Sequence, residues 1–107
     1  MPNPLAITLR ASAAATAGGT GTSVDLGDRT YVQLTLDVTA FTTGPLVVYV
    51  ETSLLGGEWL PAGQFEAVGG VVNRTLTVPT AGRWLRVRWT LSAGSVTFAV
   101  TGTAHQL

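Results

Sequence analysis

The chain offers little for catalysis: one histidine, six carboxylates, six arginines and no cysteine. A Ser, Thr or Cys nucleophile needs a base beside it. The sole histidine, His105, stands near the C-terminal end, where chains fray, and is expected as an exposed tail residue. One histidine and scattered carboxylates give no metal-ligand spacing, and the lack of cysteine removes thiolate chemistry, disulfides and cysteine-rich zinc sites together. Glycoside hydrolysis would need two carboxyl groups about 5–9 Å apart across a cleft. Asp37 and Glu51 are candidates if they share an outward face on neighbouring strands, but solubilising roles suit them better. The run DLGDR, Asp25 to Arg29, reads as turn chemistry with a local role for Arg29. No glycine-rich phosphate loop precedes a helix. Asn73-Arg74-Thr75 matches a glycosylation sequon that means little without a secretory signal. The expectation is no catalytic, cofactor or metal residue, and no enzyme.

What remains is binding chemistry, concentrated in GRWLRVRWTL, Gly82 to Leu91. Alternation sends Leu85, Val87, Trp89 and Leu91 to one face and Trp84, Arg86 and Arg88 to the other. An outward tryptophan beside two arginines suits a protein partner, for which Trp and Arg are favoured anchors. It also suits stacking on a base or sugar. The plainer reading pairs Arg86 and Arg88 with carboxylates of an adjacent strand while Trp84 covers a sandwich edge. Leu54 and Leu55, in the turn LLGG, form a second candidate contact surface unless they fold back over the core.

The elements that must position these residues are strands. Period-two alternation runs through LAITLR, TYVQLTLDVTA, PLVVYVETS, GVVNRTLTVP, RWLRVRWTL and SVTFAVTG. In the fourth of these, Arg74 shares the parity of Val72, Leu76 and Val78 and is expected at a strand end. FTTGP, LLGG, VGG, PTAG and SAG punctuate them as turns. Strands with one apolar and one polar face belong to antiparallel sheets. The pattern predicts an all-β, antiparallel two-sheet β-sandwich of about seven or eight strands, with jelly-roll and immunoglobulin-like orders both open. A hairpin across SAG would pair Trp89 with Phe98 in the core. A hairpin across LLGG, with Ser53 opposite Glu58, would put Trp59 on the face of Val48 and Val50. The low-complexity run Ala11 to Ser23 reads as a flexible loop or arm at about 11–23, able to order against a neighbouring subunit.

A chain of 107 residues suits one domain, 1–107, and can bury roughly 65% of its unfolded surface without disulfides. Formal net charge is zero and charged residues make up 11%, against about 25% in ordinary proteins. Long-range attraction to nucleic acid or an anionic membrane is not expected. No apolar run is long enough to span a membrane, and no signal peptide is read at the N-terminus. The expected origin is a cytoplasm. A mean hydropathy of +0.37 with so few charges fits a subunit that lives inside an assembly.

Over Tyr31 to Ala104 the chain resembles small β-sandwich virion structural proteins of tailed bacteriophages, in the hairpin VETSLLGGEW and the strand RWLRVRW. The resemblance implies a non-enzymatic structural subunit located in the virion and made in the host cytoplasm. It transfers no site residues. Its partners would be the major capsid protein or other virion subunits, with homo-oligomers an option and no nucleic acid. The preferred role is a capsid decoration or cement subunit. The alternatives are a tail, neck or fibre component, or a carbohydrate-binding adhesion module using Trp84, Arg86, Arg88 and the tyrosines Tyr31 and Tyr49.

Overall fold

The computed structural model describes residues 4–80 and 82–106. Nine strands form among them: β1 (Leu5–Ala15), β2 (Gly19–Thr20), β3 (Val24–Asp25), β4 (Tyr31–Phe41), β5 (Leu46–Ser53), β6 (Leu60–Gln64), β7 (Asn73–Pro79), β8 (Trp84–Leu91) and β9 (Val96–His105). They make two antiparallel sheets. The first has the order β1-β9-β4-β7. The second has the order β2-β8-β5-β6, with β3 also pairing β8. Only β2–β3 and β5–β6 are successive strands of one sheet; every other connection crosses between sheets.

Alternation places one apolar set on each strand between the sheets. Val32, Leu34, Leu36 and Val38 of β4, Leu46, Val48 and Val50 of β5, Leu85, Val87 and Trp89 of β8, and Val96, Phe98 and Val100 of β9 are all buried. The sequence pattern is therefore a true record of which side chains share the core. Arg74 is half-buried at the start of β7, where Glu66 lies 3.6 Å away.

Two hairpin expectations need correction. The SAG turn joins β8 to β9 across the sheets, so the two strands are not hydrogen-bonded partners. Trp89 and Phe98 do meet, edge to face with centroids 5.4 Å apart, but across the sandwich. Such a pair adds about 0.5–1.5 kcal/mol beyond burial. The LLGG hairpin exists with its register shifted by one residue: Thr52 faces Leu60, and an irregularity follows between Val50 and Glu51. A one-residue shift moves a side chain to the opposite face. Trp59 accordingly lies over the Arg86 guanidinium, 4.2 Å from its ring centroid, outside the core.

The run expected as a flexible loop or arm is largely strand. β1 continues through Ala15, pairing Ala13 with Phe98 and Ala15 with Val96 after two register shifts around Arg10. The chain then crosses to the second sheet, where Gly19 and Thr20 pair with Trp89 and Arg88. What holds it is this molecule's own Trp89. The indole N–H donates to the Ala17 carbonyl at 3.1 Å. Arg10 lies 4.4 Å from the Trp89 ring centroid and 4.3 Å from that of Phe98. Its Nη2 donates to the Ala13 carbonyl at 2.9 Å. Burial pushes the Arg10 pKa down, yet the guanidinium stays charged and gains from both aromatic faces. Propensity gives no sign of this, because the ordering force is a tertiary contact with a residue some 70 positions away.

His105 is also more ordered than a fraying tail. It ends β9, stacks on Tyr31 at 5.0 Å and 17°, and hydrogen-bonds Gln33 Oε1 at 3.0 Å.

Candidate functional site

The outer face of the second sheet gathers Trp84, Arg86 and Arg88 from β8 with Tyr49 and Glu51 from β5. Glu51 stands opposite Arg86, Tyr49 opposite Arg88 and Ser53 opposite Trp84. Arg86 Nε donates to Glu51 Oε1 at 3.0 Å, and Arg88 Nε lies 3.6 Å from Glu51 Oε2. The Glu51 side chain is only 13% exposed. Each arginine also covers a ring: Arg86 lies 4.2 Å from the Trp59 centroid and Arg88 4.3 Å from that of Tyr49. Cations and rings here are engaged with one another. The face is a closed network around one carboxylate, the plainer of the readings open from sequence.

Sequence reasoning missed the centre of this network. Glu51 has the same outward parity as Arg86 and Arg88 on their own strand, but strand adjacency is needed to pair them. Asp37, its proposed companion for acid–base chemistry, sits in the other sheet on β4. Tyr31 and Tyr49 are likewise in different sheets and share no outward face.

At the end of this sheet the turn after β5 presents the leucines. Ser53, itself buried, accepts a hydrogen bond on Oγ from Gly56 N–H at 2.8 Å. Gly56 takes φ +88°, the left-handed region that glycine enters without strain, and lies beside the Trp84 ring. Leu54 and Leu55 are left 68% and 93% exposed, with Leu60 beside them at 57%. They do not fold back over the core. A shallow, mostly apolar groove runs between Ser53, Leu54, Leu55, Gly57, Glu58 and Leu60.

A third feature is the turn Asp25 to Arg29. Arg83 grips Asp25 in a two-pronged pair, Nε to Oδ1 and Nη2 to Oδ2, each at 2.7 Å. Gly27 N–H adds a bond to Oδ1 at 2.9 Å. The Arg83 bonds, followed by that of Gly27, hold the Asp25 carboxyl down at about 2. Its folded pKa is thus below the unfolded value near 3.8. The stability this contributes is present above the unfolded pKa and is lost as pH falls through about 4 toward 2. Asp25→Asn should flatten that part of the acid-unfolding curve and leave the neutral-pH slope unchanged. Melting temperatures of both proteins from pH 7 to pH 2 measure it, and parallel curves throughout would refute the assignment.

Among the described residues no group of three or more His, Asp or Glu could hold a metal ion. Among the same residues no helix is long and apolar enough to cross a membrane.

No protein-family model matches the chain, and no curated protein matches it. Solved structures do match in fold. The SPBc2 prophage-derived protein YomS aligns over 97% of this chain and 94% of its own, with TM-score 0.59 and 17% identity. A structure from Bacillus endospore appendages, which form a novel family of disulfide-linked pili, aligns over 99% of this chain and 93% of its own, with TM-score 0.58 and 14% identity. At these identities what is shared is the β-sandwich, nearly end to end.

Proposed function

We propose that the protein is a non-enzymatic structural subunit of a phage particle, binding by protein–protein contact, and that its place is on the head as a capsid decoration subunit. The observation that carries this is the leucine tip. Leu54 and Leu55 on the turn and Leu60 at the start of β6 are exposed together, and the turn is closed by the Ser53–Gly56 hydrogen bond beside Trp84. Burying a leucine fully contributes roughly 1.5–3 kcal/mol, so three of them give a gross gain of about 5 kcal/mol or more. Association costs consume much of that in a single encounter. Such a contact suits a subunit repeated on a lattice, where other contacts add to it.

The strand order supports the reading. Taking β2 and β3 as one interrupted strand, the sheets follow the pattern of a jelly roll, a fold type common in viral capsid and lectin domains. The prophage origin of YomS and the pili that the Bacillus appendages form point the same way, toward structural subunits. With no cysteine, this chain would have to assemble without the disulfide links of those pili. A carbohydrate-adhesion role draws on Trp84, Arg86 and Arg88, but Glu51, Trp59 and Tyr49 already occupy the two arginines.

Heating particles assembled with and without the protein tests the head role, since binding only the assembled state raises the disassembly temperature. The wild type should raise it, and the double change Leu54→Asp, Leu55→Asp should abolish both the shift and cosedimentation with particles. Equal disassembly temperatures with and without the wild type would remove the cementing role. Labelling confined to the tail would move the subunit there.

A further inference from the structure

Each sheet of a sandwich has two open edges, and exposed edges invite pairing unless something blocks them. Three of the edges here are blocked. β1 shifts register twice around Arg10. β2 and β3 are two-residue fragments. β6 carries Pro61 and pairs irregularly with β5. The fourth edge, β7, pairs with β4 over seven residues in unbroken register and, among the described residues, has no strand on its other side.

The groups this edge offers follow from its hydrogen bonds. Val38 N–H donates to the Val72 carbonyl, and Thr80 N–H to the Thr30 carbonyl, each at 2.9 Å. Both lie on the register that pairs Leu34 with Leu76. In an antiparallel ladder, even-numbered β7 residues therefore bond to β4, and odd-numbered ones aim N–H and C=O outward. The outward set is Asn73, Thr75, Thr77 and the carbonyl of Pro79. The side chains of Thr75 and Thr77 are exposed and uncharged.

We propose that this edge pairs antiparallel with the β7 edge of a second copy, about a two-fold axis at Leu76. Parity permits it. Thr75 would exchange both backbone bonds with the partner's Thr77, and Thr77 with the partner's Thr75. Asn73 N–H would reach the partner's Pro79 carbonyl, the end where proline, having no N–H, offers an acceptor alone. The half-buried Leu76 would meet its own counterpart as a non-hydrogen-bonded pair. Like meets like without charge repulsion at Thr75, Leu76 and Thr77, and the first sheet becomes continuous across both copies. Thr8, Thr101, Thr35 and Thr75 already stand in one row across that sheet, and the partner's Thr77 would extend it. A second copy fits this edge because the donors and acceptors are complementary to themselves under a two-fold. Two short edges bury less than the roughly 1,600 Å² of a typical stable interface, so the dimer is weak when free and firmer on a lattice.

Sedimentation of the full chain over a concentration series tests the pairing. The wild type should show a reversible monomer–dimer equilibrium. Thr75→Pro removes an outward N–H while leaving the bonds to β4, and should weaken the dimer about tenfold or more. Leu76→Cys provides a measurement that does not depend on the proline variant folding. In this cysteine-free chain it should oxidise to a covalent dimer much faster than Thr8→Cys, which lies on β1 at the far side of the sheet. A wild type monomeric throughout, a folded Thr75→Pro with an unchanged dimer, or equal oxidation of the two cysteine variants would each overturn the proposal. None of these outcomes bears on the leucine tip, so the capsid reading stands or falls separately.

Discussion

Trp89→Ala should lose about 4 kcal/mol of stability, within the usual range for deleting a buried aromatic. The ring is 7% exposed and supports three things at once. It packs edge-on against Phe98, takes the Arg10 guanidinium on its face, and anchors Ala17 through its indole N–H. Removing it leaves a cavity between the sheets and takes an aromatic partner from the half-buried Arg10. The strap from Ala11 to Thr20 loses its fastening as well. For a domain near this size, 1 kcal/mol moves the melting temperature by about 4–8 °C, so a fall of about 15–30 °C is expected. Calorimetry measures it, with Trp84→Ala as comparison. Trp84 is half-buried on the outer face, and its loss should cost far less. Equal losses at the two positions would contradict this account of the core.

The second large effect is expected at Gly102. In an exposed strand, changing glycine to alanine would help by roughly 0.5–1 kcal/mol through backbone entropy. Here a Cβ would run into the Gln33 carbonyl oxygen and come within 2.8 Å of Leu34 Cδ2. The atom met is backbone of Gln33 in β4, held by β7 and β9 on its two sides, and cannot swing away as a flexible side-chain tip could. Overpacking of this kind costs about 1–3 kcal/mol and sometimes more. The clash outweighs the entropy gain, so Gly102→Ala should destabilise by about 2 kcal/mol or more. Urea unfolding decides the sign, and a more stable variant would mean that β9 shifts away from β4 at little cost.

Inward and outward assignment is legible for almost every strand, because a period of two needs no knowledge of neighbours. Leu85, Val87 and Trp89 against Trp84, Arg86 and Arg88 is the clear case. Pairing is not legible. The SAG turn looks like a hairpin but crosses the sandwich, since a short polar turn serves either connection. Alternation puts Trp59 on the wrong face because the turn after β5 sets the register one residue off, with Thr52 opposite Leu60 and not Trp59. The carboxylate that closes the outer network, Glu51, can be found only by knowing that β5 lies beside β8. The two leucines stand out as anomalies in the sequence itself, because an apolar pair ahead of two glycines in a turn departs from ordinary turn chemistry.

One consequence lies in the pairing of the first and last strands. Leu5 sits opposite Ala104, so the outer ends of β1 and β9 leave the sandwich side by side. A tension pulling those two ends apart would not load the β1–β9 ladder in shear, with all its bonds resisting together. It would peel β1 away one bond at a time, until the tear reached Arg10 and its two aromatic rings. The first tooth of that zipper is weak, and Arg10 is where it would catch.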